Sequence, residues 1–359
     1  LGEGGRKMKE SHIRAIGALA AALAASLAFT GCSNITASSA AANRYAIVIG
    51  VSIYNIHSPE GTYPNLTYPD NDAEDLATLL SSKGWTVKPI LIDSAAAYST
   101  IEKDIADLKG IVDSNSTVLV YYSGHGTTDA NGEACIIPAD AVTANSSTDY
   151  KFDEAKFIPA STMSTWLGAL SCKNKILILD SCYSGGFVDT GSSTDAIPSS
   201  YGTYEGGTEA SLLATALGNF GTLLQNSISS RGDPDVLTIT AAGSNEYSWD
   251  DGNNKHGAFT YYLLQAATAG DSDGDGYVTA NEAYAYAKQK IKAVWNTEST
   301  NSSSLSYYCS YTEWYMQYYR EENVHCSSWS DVAKYLGYVP DFMPHISGGT
   351  GDLVLYDNN

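Results

Sequence analysis

Short, continuous apolar runs separated by helical patterns constrain the fold of this 359-residue chain more than any other feature. The runs lack the polar alternation of half-exposed strands, as expected for parallel strands buried on both faces. Five such runs occur, at 45–49, 86–92, 117–122, 175–179 and 236–241. With helices between them, they predict an α/β fold of three layers, in which a doubly wound, mostly parallel sheet is flanked by helices.

Apolar residues at helical spacing predict the intervening helices. The first is expected to begin after a capping segment, Asp70–Asp72, and to stop at Gly84. Residues 296–340 are rich in Ser and Tyr and show no clear period, whereas 352–356 are expected to add a final strand. The predicted helices span 73–83, 99–112, 161–170, 210–225, 258–269 and 282–294.

The N-terminal segment predicts export from a bacterial cell. Basic residues follow Met8, and the apolar run 15–29 is too short to span a membrane comfortably, so residues 1–31 are interpreted as a signal peptide. Thr30-Gly31-Cys32 resembles a lipobox, which predicts lipidation of Cys32, a tether over 32–43 and attachment to the periplasmic or cell-surface side of a membrane. An ordinary secretory signal that happens to contain a cysteine is the alternative.

Charge and cysteine content limit the partners and the redox state. The 40 acidic residues against 20 basic ones give a net charge of -20, which excludes indiscriminate nucleic-acid binding and favours calcium ions or basic peptides. Export permits disulfides, and Cys309 and Cys326, which flank the Tyr-rich segment, are the predicted pair. Cys135 and Cys172 lie in apolar contexts and are expected to be free buried thiols.

Two residues that follow neighbouring strands predict nucleophilic catalysis. His125 lies in Tyr-Ser-Gly-His-Gly after the third apolar run, and Cys182 lies in Asp-Ser-Cys-Tyr-Ser-Gly after the fourth. An imidazole beside a thiol lowers its pKa and later protonates the leaving amine, and the backbone N–H groups of Gly126 and Cys182 are candidates for an oxyanion hole. Taken singly, the cysteine fits a buried apolar residue and the histidine a turn; together they favour catalysis.

These motifs resemble those of the caspase-like cysteine peptidases, and within them the bacterial metacaspase type. The resemblance covers Arg44 to Val294 and resumes over Pro344–Leu355. It implies a caspase-hemoglobinase fold and hydrolysis of peptides or proteins after a preferred side chain, without an organic cofactor. It also implies that His125 is the general base and acid and that Cys182 is the nucleophile. Residues 44–294 are then the peptidase domain, with 295–359 as an insertion and a final strand on the same domain.

Specificity is predicted from charge. Aspartate-specific caspases hold the substrate carboxylate with two Arg side chains and a Gln, whereas the corresponding places here are Asp72, Asp180 and the acid of Ser248-Trp249-Asp250. An acidic pocket binds Arg or Lys by charge-assisted hydrogen bonds and repels aspartate. Asp72 and Asp180 are therefore the predicted anchors, with Ser123 and Asp250 beside them. The alternative for Asp72 is a helix N-cap.

A second predicted site is a 12-residue calcium loop over residues 271–282. Carboxylates occupy loop positions one, three and five, Gly276 stands at six, and Glu282 stands at twelve. A plain Asp- and Gly-rich turn is the alternative, but it is not expected to need the terminal glutamate. The predicted calcium ligands are Asp271, Asp273, Asp275, the carbonyl of Tyr277, Thr279 and Glu282.

Three further interpretations stay open at this level. Since no Lys or Arg occurs between Lys175 and Arg231, Arg231 is a candidate autoprocessing site, with a solvated arginine at a strand entry as the alternative. The domain could instead bind peptides without cutting them, as a calcium-binding surface lipoprotein, or act as an asparagine-specific or peptide-joining relative. The sequence predicts no functional role for the remaining histidines, which are His57, His256, His325 and His345.

Overall fold

A computed structural model describes residues 43–129, 133–181, 236–242, 248, 250–294, 302–320, 322–336, 343–349 and 352–359. Cys32, Cys182, Arg231 and Trp249 lie outside the described residues, as do the signal peptide, the tether and the predicted helix 210–225. Within the described part of the chain, no helix combines the length and the apolar character that a membrane crossing requires.

The chain alternates strands and helices up to its C-terminal third. The helices are α1 (Pro69–Ser82), α2 (Tyr98–Asp107), α3 (Ala160–Gly168), α4 (Ala258–Ala269), α5 (Ala280–Val294), α6 (Ser302–Arg320) and α7 (Trp329–Leu336). The strands are β1 (Arg44–Gly50), β2 (Thr86–Val87), β3 (Leu91–Ile92), β4 (Thr117–Ser123), β5 (Gly126–Thr128), β6 (Ala134–Ile136), β7 (Val142–Ala144), β8 (Tyr150–Phe152), β9 (Ile158–Pro159), β10 (Asn174–Asp180), β11 (Val236–Thr240), β12 (Asp250–Asp251), β13 (His256–Gly257), β14 (Tyr277–Thr279), β15 (His345–Ser347) and β16 (Val354–Asp357).

The central sheet has the strand order β15-β11-β10-β4-β1-β2, and β3 also pairs with β1. All of these pairs are parallel except β11 with β15, which runs antiparallel at the edge. Smaller antiparallel pairings lie outside this sheet and join β5, β6 and β9, β7 and β8, β12 and β13, and β14 and β16. The sheet is therefore the mostly parallel one that the apolar runs predict.

Alternate residues of the central strands pack on opposite faces of the sheet, which produces the three layers. Ile47 and Ile49 of β1 belong to the apolar core that includes residues of α2 and α3. Ala46 and Val48 belong to the other core, which includes residues of α1, α4 and α5. The architecture is the three-layer caspase-hemoglobinase type.

Three predicted elements differ from the structure in their bounds. The run 86–92 forms two short strands instead of one, because the proline at 89 has no N–H for a continuous ladder. The first helix starts at Pro69, not after residue 72, since proline is favoured in a first helical turn. Asp72 is thus inside α1, and the first-turn N–H groups of Asp70 and Asn71 donate instead to Ser52 Oγ and Asp70 Oδ1. The predicted helix 99–112 ends at Asp107 and continues as a short 3-10 turn, Leu108–Gly110.

The C-terminal part of the chain contributes to several elements. Helices α6 (Ser302–Arg320) and α7 (Trp329–Leu336) lie in a segment for which no element was predicted, and Cys309 and Cys326 form a disulfide. The predicted final strand is present as β16, but it pairs with β14 and not with the central sheet. Its Leu355 carbonyl accepts a hydrogen bond from Trp85 Nε1 at 2.8 Å, and this contact fixes the strand over the core that contains α1.

Gly50 allows α1 to cross the end of β1 at close range. A Cβ on residue 50 would collide with the carbonyl oxygen of Pro69 and lie 2.8 Å from the Cβ of Ala73. Both neighbours belong to the first turns of α1, where backbone atoms cannot move away without shifting the helix. The absence of a side chain at position 50 therefore sets how closely α1, and with it Asp72, approaches the sheet.

Gly50→Ala is expected to lower the free energy of unfolding by roughly 1–3 kcal/mol or more, because overpacking against backbone atoms forces local shifts. Chemical denaturation of both proteins at one pH measures the difference. Gly110→Ala is the matched control, since nothing lies within 4 Å of the Cβ that it adds. Equal effects of the two substitutions would contradict the close-approach argument.

Candidate active site

The ends of β1, β4 and β10 lie level with one another. Ser123 pairs with Gly50 on one side and with Asp180 on the other, and Gly124 N donates to Asp180 O at 3.2 Å. His125 and Cys182 each follow this paired level by two residues. Cys182 lies outside the described residues, so its proximity to His125 stays a prediction.

The ring of His125 is oriented by the Pro64 carbonyl. His125 Nε2 lies 2.7 Å from Pro64 O, and because a carbonyl oxygen only accepts, Nε2 carries the proton and Nδ1 keeps a lone pair. The ring packs on those of Tyr54 and Tyr63, at centroid distances of 4.7 and 5.8 Å. Burial lowers the pKa of His125, and the hydrogen bond to Pro64 O opposes this only in part. The imidazole is therefore set up as a neutral base.

A pair of tyrosine hydroxyls fixes the backbone that carries His125. Tyr54 OH accepts from His125 N at 2.7 Å and lies 3.0 Å from Tyr122 OH, which donates to His125 O at 2.8 Å. Gly124 has φ +155, and a Cβ there would lie 2.6 and 2.7 Å from these two hydroxyls. Only glycine fits this turn.

Gly126 begins β5 opposite Ile136, and its oxyanion role stays a prediction.

Asp72 is the centre of a buried polar cluster. Its carboxylate accepts from Ser123 Oγ at 2.8 Å and from Gly257 N at 3.0 Å, and it contacts His256 Nδ1 at 2.9 Å. The side chain points inward from the first turn of α1 and is fully buried. These contacts show that Asp72 does not serve as a helix cap.

Asp180 lies beside it, at the end of β10. Its carboxylate accepts from Thr260 N at 3.1 Å, from Thr260 Oγ1 at 2.7 Å and from Ser248 Oγ. A side chain at Gly257 would contact the Oδ2 atoms of both Asp72 and Asp180. The two carboxylates therefore converge, and we call Asp72, Ser123 and Asp180 the acidic pocket.

Burial makes both carboxylates of the acidic pocket weaker acids. Burial, aided by the charge of Asp180, raises the pKa of Asp72 to about 7 against the opposing hydrogen bonds from His256 and Ser123. Burial also raises the pKa of Asp180, against the hydrogen bonds from Ser248 and Thr260. Two such neighbouring carboxylates favour the arrival of a cation, which would offset their repulsion.

The sequence missed three contributors to this site. His256 was expected to lie in a loop without a role, but it belongs to β13 and contacts Asp72. Thr260 and Pro64 act through main-chain and hydroxyl groups, for which the sequence carries no recognisable pattern. Asp250 of β12 pairs with Gly257, so its backbone lies next to the acidic pocket.

The predicted calcium loop brings its first three carboxylates together. One oxygen from each of Asp271, Asp273 and Asp275 lies within 4.8 Å of the others, and Gly276 has φ +87 at the turn. Glu282 accepts from Thr279 N at 2.9 Å, while Glu282 N donates to Thr279 Oγ1 at 3.2 Å. This reciprocal capping of α5 gives the glutamate a role in a plain turn as well, contrary to the sequence expectation. Oxygen ligands of this kind fit Ca²⁺.

Asp72→Asn is expected to change how stability depends on pH. The unfolded chain has an Asp pKa of about 4, so the raised value in the folded protein costs wild-type stability as pH rises from about 4 to 7. Asparagine does not ionise, so the variant does not lose this part of its stability as pH rises. Its free energy of unfolding relative to wild type should increase by roughly 1–3 kcal/mol between pH 5 and pH 8, measured by urea denaturation.

Glu102→Gln is the control for removing a carboxylate, since Glu102 is an exposed residue of α2. Its difference from wild type should be the same at both pH values. A parallel trend in the two variants would show that the effect is not specific to the buried carboxylate.

Comparisons with known proteins identify the family of this chain. The sequence matches the family described as Caspase domain over residues 43–313. Similar solved structures include protein GSU0716 from Geobacter sulfurreducens, with a TM-score of 0.42 and 17% identity over 69% of this chain and 89% of that one. Caspase-1 from Spodoptera frugiperda gives a TM-score of 0.43 and 14% identity over 89% of this chain and 91% of that one. No curated protein matches the sequence. Because the family match extends over most of the chain, the protein belongs to the caspase domain family of cysteine peptidases.

Proposed function

We propose that the protein is a cysteine endopeptidase that cleaves after Arg or Lys, with His125 and Cys182 as its dyad. The observation that carries the specificity is the pair of buried carboxylates, Asp72 and Asp180, at the same sheet edge as His125. In the part of the chain that the structure describes, the two carboxylates are hydrogen-bonded to residues that are neither Lys nor Arg, namely Ser123, Ser248, His256, Gly257 and Thr260. A substrate cation would add positive charge to a cluster of two carboxylates whose one described cationic neighbour is the His256 ring.

The chemistry follows from the protonation state of His125. Its Nδ1 lone pair accepts the proton of the Cys182 thiol, and the thiolate attacks the carbonyl carbon of the scissile bond. When the tetrahedral intermediate collapses, the imidazolium gives its proton to the leaving amine, and an acyl-enzyme remains. A water molecule, deprotonated by the same imidazole, then releases the new carboxylate. Pro64 O holds the ring in orientation throughout.

The acidic pocket selects the side chain before the scissile bond. A guanidinium or ammonium group would donate charge-assisted hydrogen bonds to Asp72 and Asp180, and each such bond to a buried charge is worth about 1.5–3 kcal/mol. An aspartate or asparagine side chain would leave the carboxylates without a cation and, for aspartate, add repulsion. The arrangement therefore favours cleavage after a basic residue over an asparagine-specific activity.

Kinetics on matched fluorogenic peptides that end in Arg, Lys, Asp or Asn test the proposal. The Arg and Lys peptides should be cleaved with the higher kcat/KM, and Cys182→Ala should abolish cleavage. Asp180→Asn should lower kcat/KM for the Arg peptide about 10- to 100-fold, because one charge-assisted anchor is lost.

Cys135→Ala is the matched cysteine control. Burial raises the pKa of Cys135 to about 12, so its thiol is not expected to form a thiolate near neutral pH, and activity should persist. A preference for Asp or Asn would overturn the specificity. Peptide binding without cleavage by the wild-type protein would favour the alternative of a non-catalytic binding protein.

We also propose that residues 271–282 bind Ca²⁺. Asp271, Asp273, Asp275, the Tyr277 carbonyl, Thr279 and Glu282 are the ligands. The support is the convergence of three carboxylates that repel one another and the turn at Gly276 that a calcium loop requires at its sixth position. The loop directly follows α4, whose Thr260 holds Asp180, so ion binding is expected to stabilise the wall of the acidic pocket.

Calcium in excess over chelator is expected to raise the Tm of the full-length protein, since a ligand at 100 times its Kd stabilises the folded state by about 2.7 kcal/mol. Asp273→Asn should remove most of this increase, because it takes away a ligand whose side chain does not cap α5. Glu322→Gln changes an exposed acid elsewhere and should keep the wild-type response. A Tm that is identical with chelator and with calcium would refute the proposal.

Three proposals rest on the sequence alone. The apolar run 15–29 supports export by the signal peptide 1–31, and the lipobox-like motif supports lipidation at Cys32. The lack of basic residues between Lys175 and Arg231 supports autoprocessing at Arg231. A lipid anchor would place the peptidase on a membrane surface, where peptide and protein substrates outside the cytoplasm are within reach.

A further inference from the structure

His256 has a carboxylate oxygen at each of its two ring nitrogens. Nδ1 lies 2.9 Å from Asp72 Oδ1, and Nε2 lies 3.3 Å from Asp75 Oδ2. An ionised carboxylate only accepts hydrogen bonds, and a neutral imidazole has only one donor, so the imidazolium is the form that satisfies both contacts. The geometry thus places a cation next to Asp72 before any substrate is present.

The ring lies between the interior and the solvent. The side chain of Asp72 is 1% exposed, that of His256 is 12% exposed and that of Asp75 is 64% exposed. Asp75 is one turn after Asp72 on α1, so both carboxylates face the ring from the same helix. His256 is therefore linked to the buried carboxylate on one side and to a solvated one on the other.

The β12–β13 hairpin holds His256 in this position. Lys255, which precedes it, adopts a left-handed conformation with φ +58, and its carbonyl accepts from Asn71 Nδ2 at 3.1 Å. The ring of Tyr261 from α4 stacks on His256 at a centroid distance of 6.4 Å. Gly257 N then donates to Asp72, so the backbone and the side chain of the hairpin meet the same carboxylate.

We propose that His256 is a specificity-determining residue whose imidazolium competes with the substrate's Arg or Lys side chain for Asp72. The inference deepens the proposed function and rests on it, since the competing ligand is the basic side chain before the scissile bond. When His256 loses its proton, the positive charge beside Asp72 is removed, and a basic substrate binds more tightly. When His256 is protonated, the pocket already contains its own cation.

The acidic groups around the ring all raise the pKa of His256. The hydrogen bond to Asp72 and the charges of Asp72, Asp75 and Asp180 raise the pKa of His256, whereas burial lowers it. Asp72, with its own pKa raised to about 7, titrates with His256 as a pair, and loss of either proton makes the pocket more negative. On the neighbouring strand β4, burial raises the pKa of Tyr121 well above 10, so this group stays neutral. Affinity for a basic side chain therefore rises with pH.

Proton binding and substrate binding must then oppose each other reciprocally. The test is an NMR titration of the His256 ring in full-length Cys182→Ala protein, with His256→Gln used to assign the signal. Without peptide, His256 should titrate above 6.5. Saturation with an arginyl peptide should lower its pKa by about one pH unit, which corresponds to a tenfold competition, whereas the neutral citrulline analogue should leave it unchanged.

Asp75→Asn supplies a second variant that is not expected to disturb folding, since Asp75 is mostly exposed. Loss of that contact should lower the pKa of His256 in the free protein. The KM for an arginyl substrate, which falls as pH rises, should then fall at a lower pH than in the wild type, and kcat should be unaffected. His325, which is 85% exposed and contacts Glu313, serves as an internal control whose signal should not respond to the peptide.

The outcomes separate the two proposals. If the wild-type protein cleaves arginyl peptides but His256 titrates at or below 6.5, or does not respond to bound arginyl peptide, the competition is refuted and the proposed function stands. If arginyl peptides are neither bound nor cleaved, both are refuted. A response of equal size to the citrulline peptide would also refute the competition, because charge would then play no part.

Discussion

The parallel register of β1, β4 and β10 is the constraint on which the rest of the site depends. It aligns Gly50, Ser123 and Asp180 side by side at the end of the sheet, and the pleat points successive side chains of each strand to opposite faces. Ser123 and Asp180 face the helices α1 and α4. Alternation alone would place His125 on the same face as Ser123, but the turn at Gly124, with φ +155, directs it to the side of Tyr54 and Pro64. A one-residue slip in either pairing would exchange these environments and separate the base from the pocket.

The acidic pocket is costly to fold, which argues for a functional reason to keep it. Buried carboxylates lose hydration, and two of them repel each other. Their hydrogen bonds from Ser123, Thr260 and the Gly257 backbone offset part of this cost without supplying a positive charge. The imidazolium of His256 is the described group that does so, which links the folding of the β12–β13 hairpin to the charge of the pocket.

The sequence predicts the elements whose signal is local. Apolar runs locate β1, β4, β10 and β11, and helical spacing locates α4 at its observed bounds, Ala258–Ala269. The shared edge of parallel strand ends also brings Ser123 and Asp180 together, whereas Asp72 was assigned beside them by the resemblance to the metacaspases. His256 and Pro64 could not be found in this way, because one depends on a hairpin with a left-handed Lys255 and the other on a carbonyl group. Helices α6 and α7 were missed because Ser- and Tyr-rich segments have weak helical propensity.

The disulfide between Cys309 and Cys326 affects how such a peptidase should be handled. It joins α6 to the segment that leads into α7, in a part of the chain with few long apolar runs. A thiol enzyme is commonly kept active with dithiothreitol, and the same reagent would open this cross-link. A reductant that protects the proposed nucleophile from oxidation therefore endangers the disulfide of the α6–α7 region. The reductant concentration has to be low enough to keep that disulfide intact.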